Sequence, residues 1–394
     1  VFDYETLRLI WWVLLGVLLI GFAVLDGFDF GVAALLPFLS KDDEERRIMI
    51  DTVSAVWEGN QVWLILGAGS IFAAWPYLYA VAFSGFYLAM FIVLCALILR
   101  PVAFKFRGKL PNERWRNFWD WALFVTGVVP PVIFGVAVGN ALQGVPFTLD
   151  DTMRVFYTGS LIDLLNPFAL LCGVVSLLMC LTQGAAWLSV KTDSDLHARA
   201  RKVAVVCALV TIVLFAGAGA WVAQAIDGFR LVGSVDTQGP SNPLLKSVVR
   251  EAGAWLDNYD KWPLSLAVPE LTIWGTLILL GGIAVKRDVL ALIGNSLTIA
   301  GIVGTAGVSM FPFLLPSSLN PNVSLTVWNS SSSRMTLLTM TFVTVVFLPV
   351  ILAYTSWVYR VLRGKVTKAY IRASRAATLI EDGQLCGTFH GYSA

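Results

Sequence analysis

Nine stretches of this chain are too long and too apolar to rest in water. They run near 9–38, 49–74, 76–99, 117–142, 160–190, 203–225, 264–285, 289–311 and 336–359. A helix needs roughly 20 apolar residues to cross a hydrocarbon core about 30 Å thick. In lipid every backbone polar group must be satisfied internally, so such runs become helices. Their recurrence along the whole length is not that of a single cleaved leader. The expectation is an all-α integral membrane protein with nine transmembrane helices. Composition agrees: only 14% of the 394 residues are charged, where a soluble domain carries about a quarter. Trp75-Pro76-Tyr77 divides the second stretch from the third, because proline stops a helix and the aromatics suit an interface. The first and fifth stretches are long enough to tilt or to project from the membrane.

Charge sets the orientation. With nine spans, the odd-numbered loops and the C-terminal tail hold 21 of the 28 Lys and Arg residues, and the other side holds 7. Cytoplasmic loops are enriched in Lys and Arg, so the N-terminus is expected outside and the C-terminus inside. The longest outer connection spans 226–263; its segment Leu244 to Leu256 reads as a short surface helix after a turn-rich stretch. The tail after Arg360 reads as a cytoplasmic extension, first basic and then small and polar.

Charged side chains at membrane depth cost several kcal/mol unless they are paired, hydrated or used. The first stretch carries Asp26 and Asp29, the second Glu58, Asn60 and Gln61. At about 1.5 Å of rise per residue, Asp29 and Glu58 each lie about 14 Å from the cytoplasmic end of their stretch. Like charges at similar depth on adjacent helices cannot both ionise cheaply, so one acid is expected to hold a proton. That is what a proton path from the cytoplasm requires. The plainer reading is a polar cluster that locks helices together, and it suits Asn60 and Gln61 best. Arg100, before Pro101, is placed at the cytoplasmic rim, where it hydrates a mouth toward Glu58 or snorkels to lipid phosphates. Trp115, Trp119 and Trp121 read as an interfacial belt. Val129-Pro130-Pro131 is expected to kink the fourth span.

Other chemistries lack their residues. Membrane haem sites take His or Met ligands, yet the two histidines, His197 and His390, lie in a loop and in the tail. No haem axial ligand and no metal site is expected here. There is no GxxxxGK[ST] phosphate loop and no dense basic tract for nucleic acid. The five cysteines form no CxxC pair, and four of them fall in apolar runs.

Several motifs then combine. They are Gly27-Phe28-Asp29-Phe30-Gly31, Trp57-Glu58-Gly59-Asn60-Gln61-Val62-Trp63-Leu64, Phe72-Ala73-Ala74-Trp75-Pro76 and Phe83-Ser84-Gly85-Phe86-Tyr87. Further along come Arg100-Pro101-Val102-Ala103-Phe104, the run from Gly139 to Phe147, the run from Arg250 to Trp255, and the run from Phe311 to Ser318. In order and over nearly the whole chain, these resemble subunit II of cytochrome bd-type quinol oxidases. The resemblance implies two four-helix bundles plus one peripheral helix. In residue ranges these are 1–150, then 151–320 with the outer loop 226–263, then the ninth helix and tail at 321–394. Ile226-Asp227-Gly228-Phe229 echoes Asp26-Gly27-Phe28. The resemblance further implies a bacterial inner-membrane partner, subunit I, holding two b-type haems and one d-type haem. Quinol is oxidised there and O2 reduced to water with cytoplasmic protons, electrogenically. Small single-helix accessory subunits and a structural quinone belong to the same set of expectations. By resemblance Glu58 lies on the proton route and Trp63 near the oxygen channel. Lys105 stands where an acid is expected, and Arg334 where a neutral amide is expected.

Two other functions suit the same residues. A secondary transporter would use Asp26, Asp29 and Glu58 as a coupling-ion site, and a scaffold would be indifferent to neutralising Glu58.

Overall fold

Helices form where the apolar runs predict them, and most of the departures sit at breaks. The computed structural model describes residues 2–369 and 371; most of the tail, including His390, lies outside them. In order the helices are α1 (Tyr4–Leu39), α2 (Asp43–Val53), α3 (Trp57–Ala74), α4 (Pro76–Gly85), α5 (Tyr87–Phe106) and α6 (Glu113–Gln143). They continue with α7 (Pro167–Lys191), α8 (Ser194–Ala225), the short α9 (Asp257–Lys261), α10 (Ala267–Ala284), α11 (Asp288–Met310) and α12 (Arg334–Val361). Among the described residues eight helices are long and apolar enough to cross a membrane: α1, α5, α6, α7, α8, α10, α11 and α12. The second expected stretch does not run unbroken. It divides at 54–56 into α2 and α3, and the first turn of α3 carries Glu58, Asn60 and Gln61, which lowers its apolar character. The third divides at Phe86 into α4 and α5. The fifth becomes helical only at Pro167, where Asn166 caps the helix by accepting from the Ala169 amide. α6 continues as helix through Pro130 and Pro131.

α1 lies at the centre, against α3, α6, α7, α11 and α12. Its approach to α7 is backbone on backbone: a Cβ on Gly31 or on Gly184 would run into the other helix. Gly127 lets α6 reach the Phe30 carbonyl and Ala34 in the same way. α10 and α11 pack through Gly275, Gly282, Gly294 and Gly301. Small residues let helices approach closely where lipid supplies no hydrophobic drive. α12 flanks α1 and α3 and leaves most of its apolar surface outward.

The two ends differ. One end is built from hairpins: β1 (Phe147–Leu149) with β2 (Val155–Tyr157), β3 (Asp227–Val232) with β4 (Ser247–Ala252), and β5 (Phe313–Leu315) with β6 (Leu325–Thr326), all antiparallel. The surface helix expected over Leu244 to Leu256 is corrected to strand β4 followed by a 3-10 turn at Ala254–Leu256. Val248 and Val249 favour a strand, and Val248 turns inward beside Phe229 and Trp255. The segment at Asp227-Gly228-Phe229 opens β3 and shares no structure with the helical Asp26-Gly27-Phe28.

At the opposite end the basic residues are spent on acids. Arg107 meets Asp120 at 2.5 Å and Asp43 at 2.7 Å, Arg116 meets Asp43 at 2.7 Å, and Arg199 meets Glu45 at 2.5 Å. Burial pushes the Asp43 carboxyl up, but the hydrogen bonds and charges of Arg107 and Arg116 outweigh it and leave the group below its ordinary value.

Candidate functional site

The motifs of the hairpin end join one another. Val145 donates to the Pro316 carbonyl at 2.9 Å, and Ser318 donates back to the Val145 carbonyl at 3.0 Å. Trp255 donates to the Leu142 carbonyl at 3.0 Å, and Asn166 donates to Asn140 at 3.0 Å. These residues seal an end of the helical body, with their polar groups matched.

The polar groups in the body behave differently. Asp26 and Asp29, three residues apart, share one face of α1, and both are buried. Arg100 on α5 is 1% exposed and pairs with Asp26 at 2.6 Å, its guanidinium 4.4 Å from the Phe30 ring centre. The rim position expected of Arg100 is therefore corrected. α5 continues past Pro101 to Phe106, which draws the side chain inward to a counter-charge and away from lipid phosphates.

Asp29 takes its hydrogen bond from Asn60, Nδ2 to Oδ2 at 2.8 Å. Tyr359 on α12 donates to the Asn60 Oδ1 at 2.7 Å. Glu58 stands two residues before Asn60 at a similar level, but it is exposed on the outer face of α3. Two residues turn a helix by about 200°, so when Asn60 faces α1, Glu58 faces away. The structure thus joins Asp26, Asp29, Arg100 and Asn60, and leaves Glu58 on the surface beside them. Gln61 is half-buried. Trp63 is buried between α3 and α1, its ring over Gly21 and close to Leu18 and Phe22. Lys105 is exposed at the last turn of α5. Arg334 donates to the Phe2 carbonyl at 3.0 Å, tying the start of the chain to α12.

Four polar atoms of this cluster are buried with no hydrogen-bond partner among the described residues: Asp26 Oδ2, Asp29 Oδ1, Arg100 Nε and Arg100 Nη2. Unsatisfied buried groups of this kind are costly, and water or a proton relieves them. Asp26 and Asp29 lie close enough on α1 for their charges to act on each other. A proton on one of the acids turns a leftover acceptor into a donor. The arrangement is able to bind and release a proton inside the helical body.

Residues 7–362 match the family described as cytochrome bd terminal oxidase subunit II. The chain belongs to that family. It is 53% identical over 366 residues to the Escherichia coli K12 cytochrome bd-I ubiquinol oxidase subunit 2, covering 93% of this chain and 97% of that protein. It is 50% identical to the probable cytochrome oxidase subunit 2 of Haemophilus influenzae, over 94% of this chain and 97% of the relative. The cytochrome bd ubiquinol oxidase subunit 2 of Bacillus subtilis is 33% identical, over 91% and 96%. In fold, the chain resembles a chain in the structure of bd oxidase from Geobacillus thermodenitrificans, with a TM-score of 0.67 at 16% identity over 90% of this chain and 98% of that one. None of these likenesses supports a secondary transporter.

Bd oxidase subunit II works in a haem enzyme, so the chain's own residues can be tested against haem. His197 is engaged by Asp288 at 3.1 Å at the basic end. Among the described residues no three His, Cys, Asp or Glu side chains gather as metal ligands. His197, the one described histidine, is therefore committed to a carboxylate and offers no free axial nitrogen there for a haem.

Asp26, Asp29 and Arg100 are legible in the sequence as buried or rim charges, whereas Asn60 reads as packing and Tyr359 carries no mark. A tyrosine near the end of a span reads as an interfacial aromatic, and nothing in its neighbours marks it as facing inward.

Proposed function

We propose that this chain pairs with a haem-bearing subunit I in a bacterial inner membrane and passes protons from the cytoplasm toward the site where O2 is reduced to water with electrons from quinol. The basic end faces the cytoplasm, as the loop charges favour, so the N-terminus is periplasmic and the C-terminus cytoplasmic. Nine spans are counted with α2 and α3 as the broken second one. They group as two four-helix bundles, within 1–150 and 151–320, with α12 peripheral in 321–394. The two b-type haems and the d-type haem belong to subunit I. Small single-helix subunits and a structural quinone complete the complex.

The observation that carries the proton route is the set of four buried, unpartnered polar atoms on Asp26, Asp29 and Arg100. Arg100 is the counter-charge of Asp26, Asp29 exchanges the proton, and water at the leftover atoms connects the cluster to both sides. Glu58 supports the reading from outside. A carboxylate on the outer face of a helix at the level of Asp29 is expensive against lipid, whereas against subunit I it is a hand-over point. Trp63, between α1 and α3, lies in the vicinity of the oxygen channel.

The test is Asp29→Asn in the assembled oxidase. O2 consumption per haem is expected to fall by about a hundredfold with the visible haem spectrum unchanged. Native turnover in a fully haem-loaded variant would remove Asp29 from the route.

A further inference from the structure

We infer that Tyr359 on α12 is a positioning residue for Asp29, fixing through Asn60 which carboxyl oxygen of Asp29 is free to exchange a proton. The inference rests on the reading of Asp29 as a proton carrier.

An asparagine amide presents an oxygen on one side and two N–H donors on the other, and its shape does not choose between them. Asn60 sits between Tyr359 and Asp29 and must choose. The Tyr359 hydroxyl donates to Oδ1 at 2.7 Å, so the oxygen is held on the α12 side. Nδ2 is then turned toward α1, where it donates to Asp29 Oδ2 at 2.8 Å. With Oδ2 engaged, Oδ1 is the oxygen left without a partner. The same chain of bonds therefore selects a single exchanging oxygen.

The tyrosine is itself held for this task. Its ring packs edge-on against Phe28 and Trp187, 6.4 and 5.9 Å between centres, while Phe28 and Trp187 stack on each other at 4.2 Å. Trp187 is anchored to the Thr52 carbonyl at 3.2 Å. Beyond Tyr359, Lys191 at the end of α7 donates to the carbonyl of Leu362, and Val366 donates to the Lys191 carbonyl at 2.8 Å. α12 is otherwise the least buried of the long apolar helices, so these contacts at its basic end locate the hydroxyl.

The titratable groups facing Asp29 are Asp26 on α1, Arg100 on α5, Tyr359 on α12 and, beside Asp26, Cys180 on α7. Of these, only Tyr359 reaches it through a neutral amide, so removing its hydroxyl changes orientation without changing charge.

The experiment uses the whole oxidase and the variants Tyr359→Phe, Asn60→Leu, the two combined, and Asp29→Asn, with haem content measured in each. Tyr359→Phe is expected to slow turnover by roughly threefold to tenfold and to shift the pH profile of O2 consumption, with haem content unchanged. Asn60→Leu is expected to do the same, and the double variant no more than Asn60→Leu alone, because Tyr359 acts through Asn60. A native rate and pH profile in Tyr359→Phe would overturn the inference, as would an undiminished further loss when Tyr359→Phe is added to Asn60→Leu. Asp29→Asn separates the two levels: if it abolishes turnover while Tyr359→Phe is silent, only the positioning role fails, and if it is silent the proton route fails with it.

Discussion

Two buried arginines contact α1 or lie on it, and they are opposites. Arg8, near the hairpin end, is fully buried and forms no ion pair among the described residues. Its Nε donates to Ser331 at 2.8 Å, Nη1 to the Thr237 carbonyl at 2.7 Å, and Nη2 to the Gly239 carbonyl at 3.1 Å and Ser241 at 3.0 Å. Its guanidinium also stacks 3.6 Å from the Tyr4 ring centre. Arg100 has a carboxylate at 2.6 Å but leaves Nε and Nη2 unpartnered. A saturated arginine with no direct ion pair is a clamp: it ties the loop at 237–241 and Ser331 to α1. An under-satisfied arginine beside two acids keeps capacity for water and for a proton. Burial alone does not separate these two arginines; their leftover hydrogen-bonding atoms do.

The comparison is sharpened most by removing each arginine. Arg100→Leu strands the Asp26 charge and is expected to cost about 3–5 kcal/mol, read as loss of assembled, haem-loaded oxidase or as a lowered melting temperature. Adding Asp26→Asn to it is expected to recover much of the loss, since the uncompensated charge goes with it. If Arg100→Leu assembled at native levels, the ion pair would not be the buried constraint described. Arg8→Ala leaves carbonyls and hydroxyls without a donor, at about 1–3 kcal/mol. It is expected to raise hydrogen exchange at 236–241 and 330–332 while turnover per haem holds. Slowed turnover at full haem content would break the distinction between the two arginines.

The smallest effect belongs to Lys246, at the hairpin end. Its Nζ donates to the Pro243 carbonyl at 2.9 Å and the Asn322 carbonyl at 2.8 Å. Burial holds its pKa down to about 7, from an ordinary 10.5. Between those values the unfolded chain keeps a proton that the folded chain has shed, so stability of this end rises with pH across the window. Thermal unfolding of the native oxidase compared with Lys246→Met from pH 7 to 10 checks this. The native protein should gain relative to the variant, by a small amount because the side chain is only half-buried. A gap that stays constant over the range would deny the shift.

Most of the helical body was legible because about twenty apolar residues in sequence leave few alternatives. The acids stood out for the same reason: Asp26 and Asp29 interrupt a run that lipid would otherwise favour. The breaks were harder. The interruption at 54–56 contains neither Gly nor Pro, so local propensity gives no signal and tertiary packing decides. The strands of the hairpin end are two to six residues long, too short for alternation to declare itself. Pairing across helices was the least accessible. Glu58 and Asn60 lie on opposed faces of α3, and a sequence does not say which face meets α1. Arg100 next to Pro101 suggested a helix end, although α5 runs on for another turn and a half.

On the proposed route, protons used in O2 reduction pass through the Asp26–Asp29 cluster of this chain. Its most direct test is proton uptake after the fully reduced oxidase is mixed with O2, followed with a pH dye in the native complex and in Asp29→Asn. O2 binding is expected to keep its native rate in the variant while proton uptake slows by about tenfold or more. Proton uptake at the native rate in a haem-complete Asp29→Asn oxidase would contradict it.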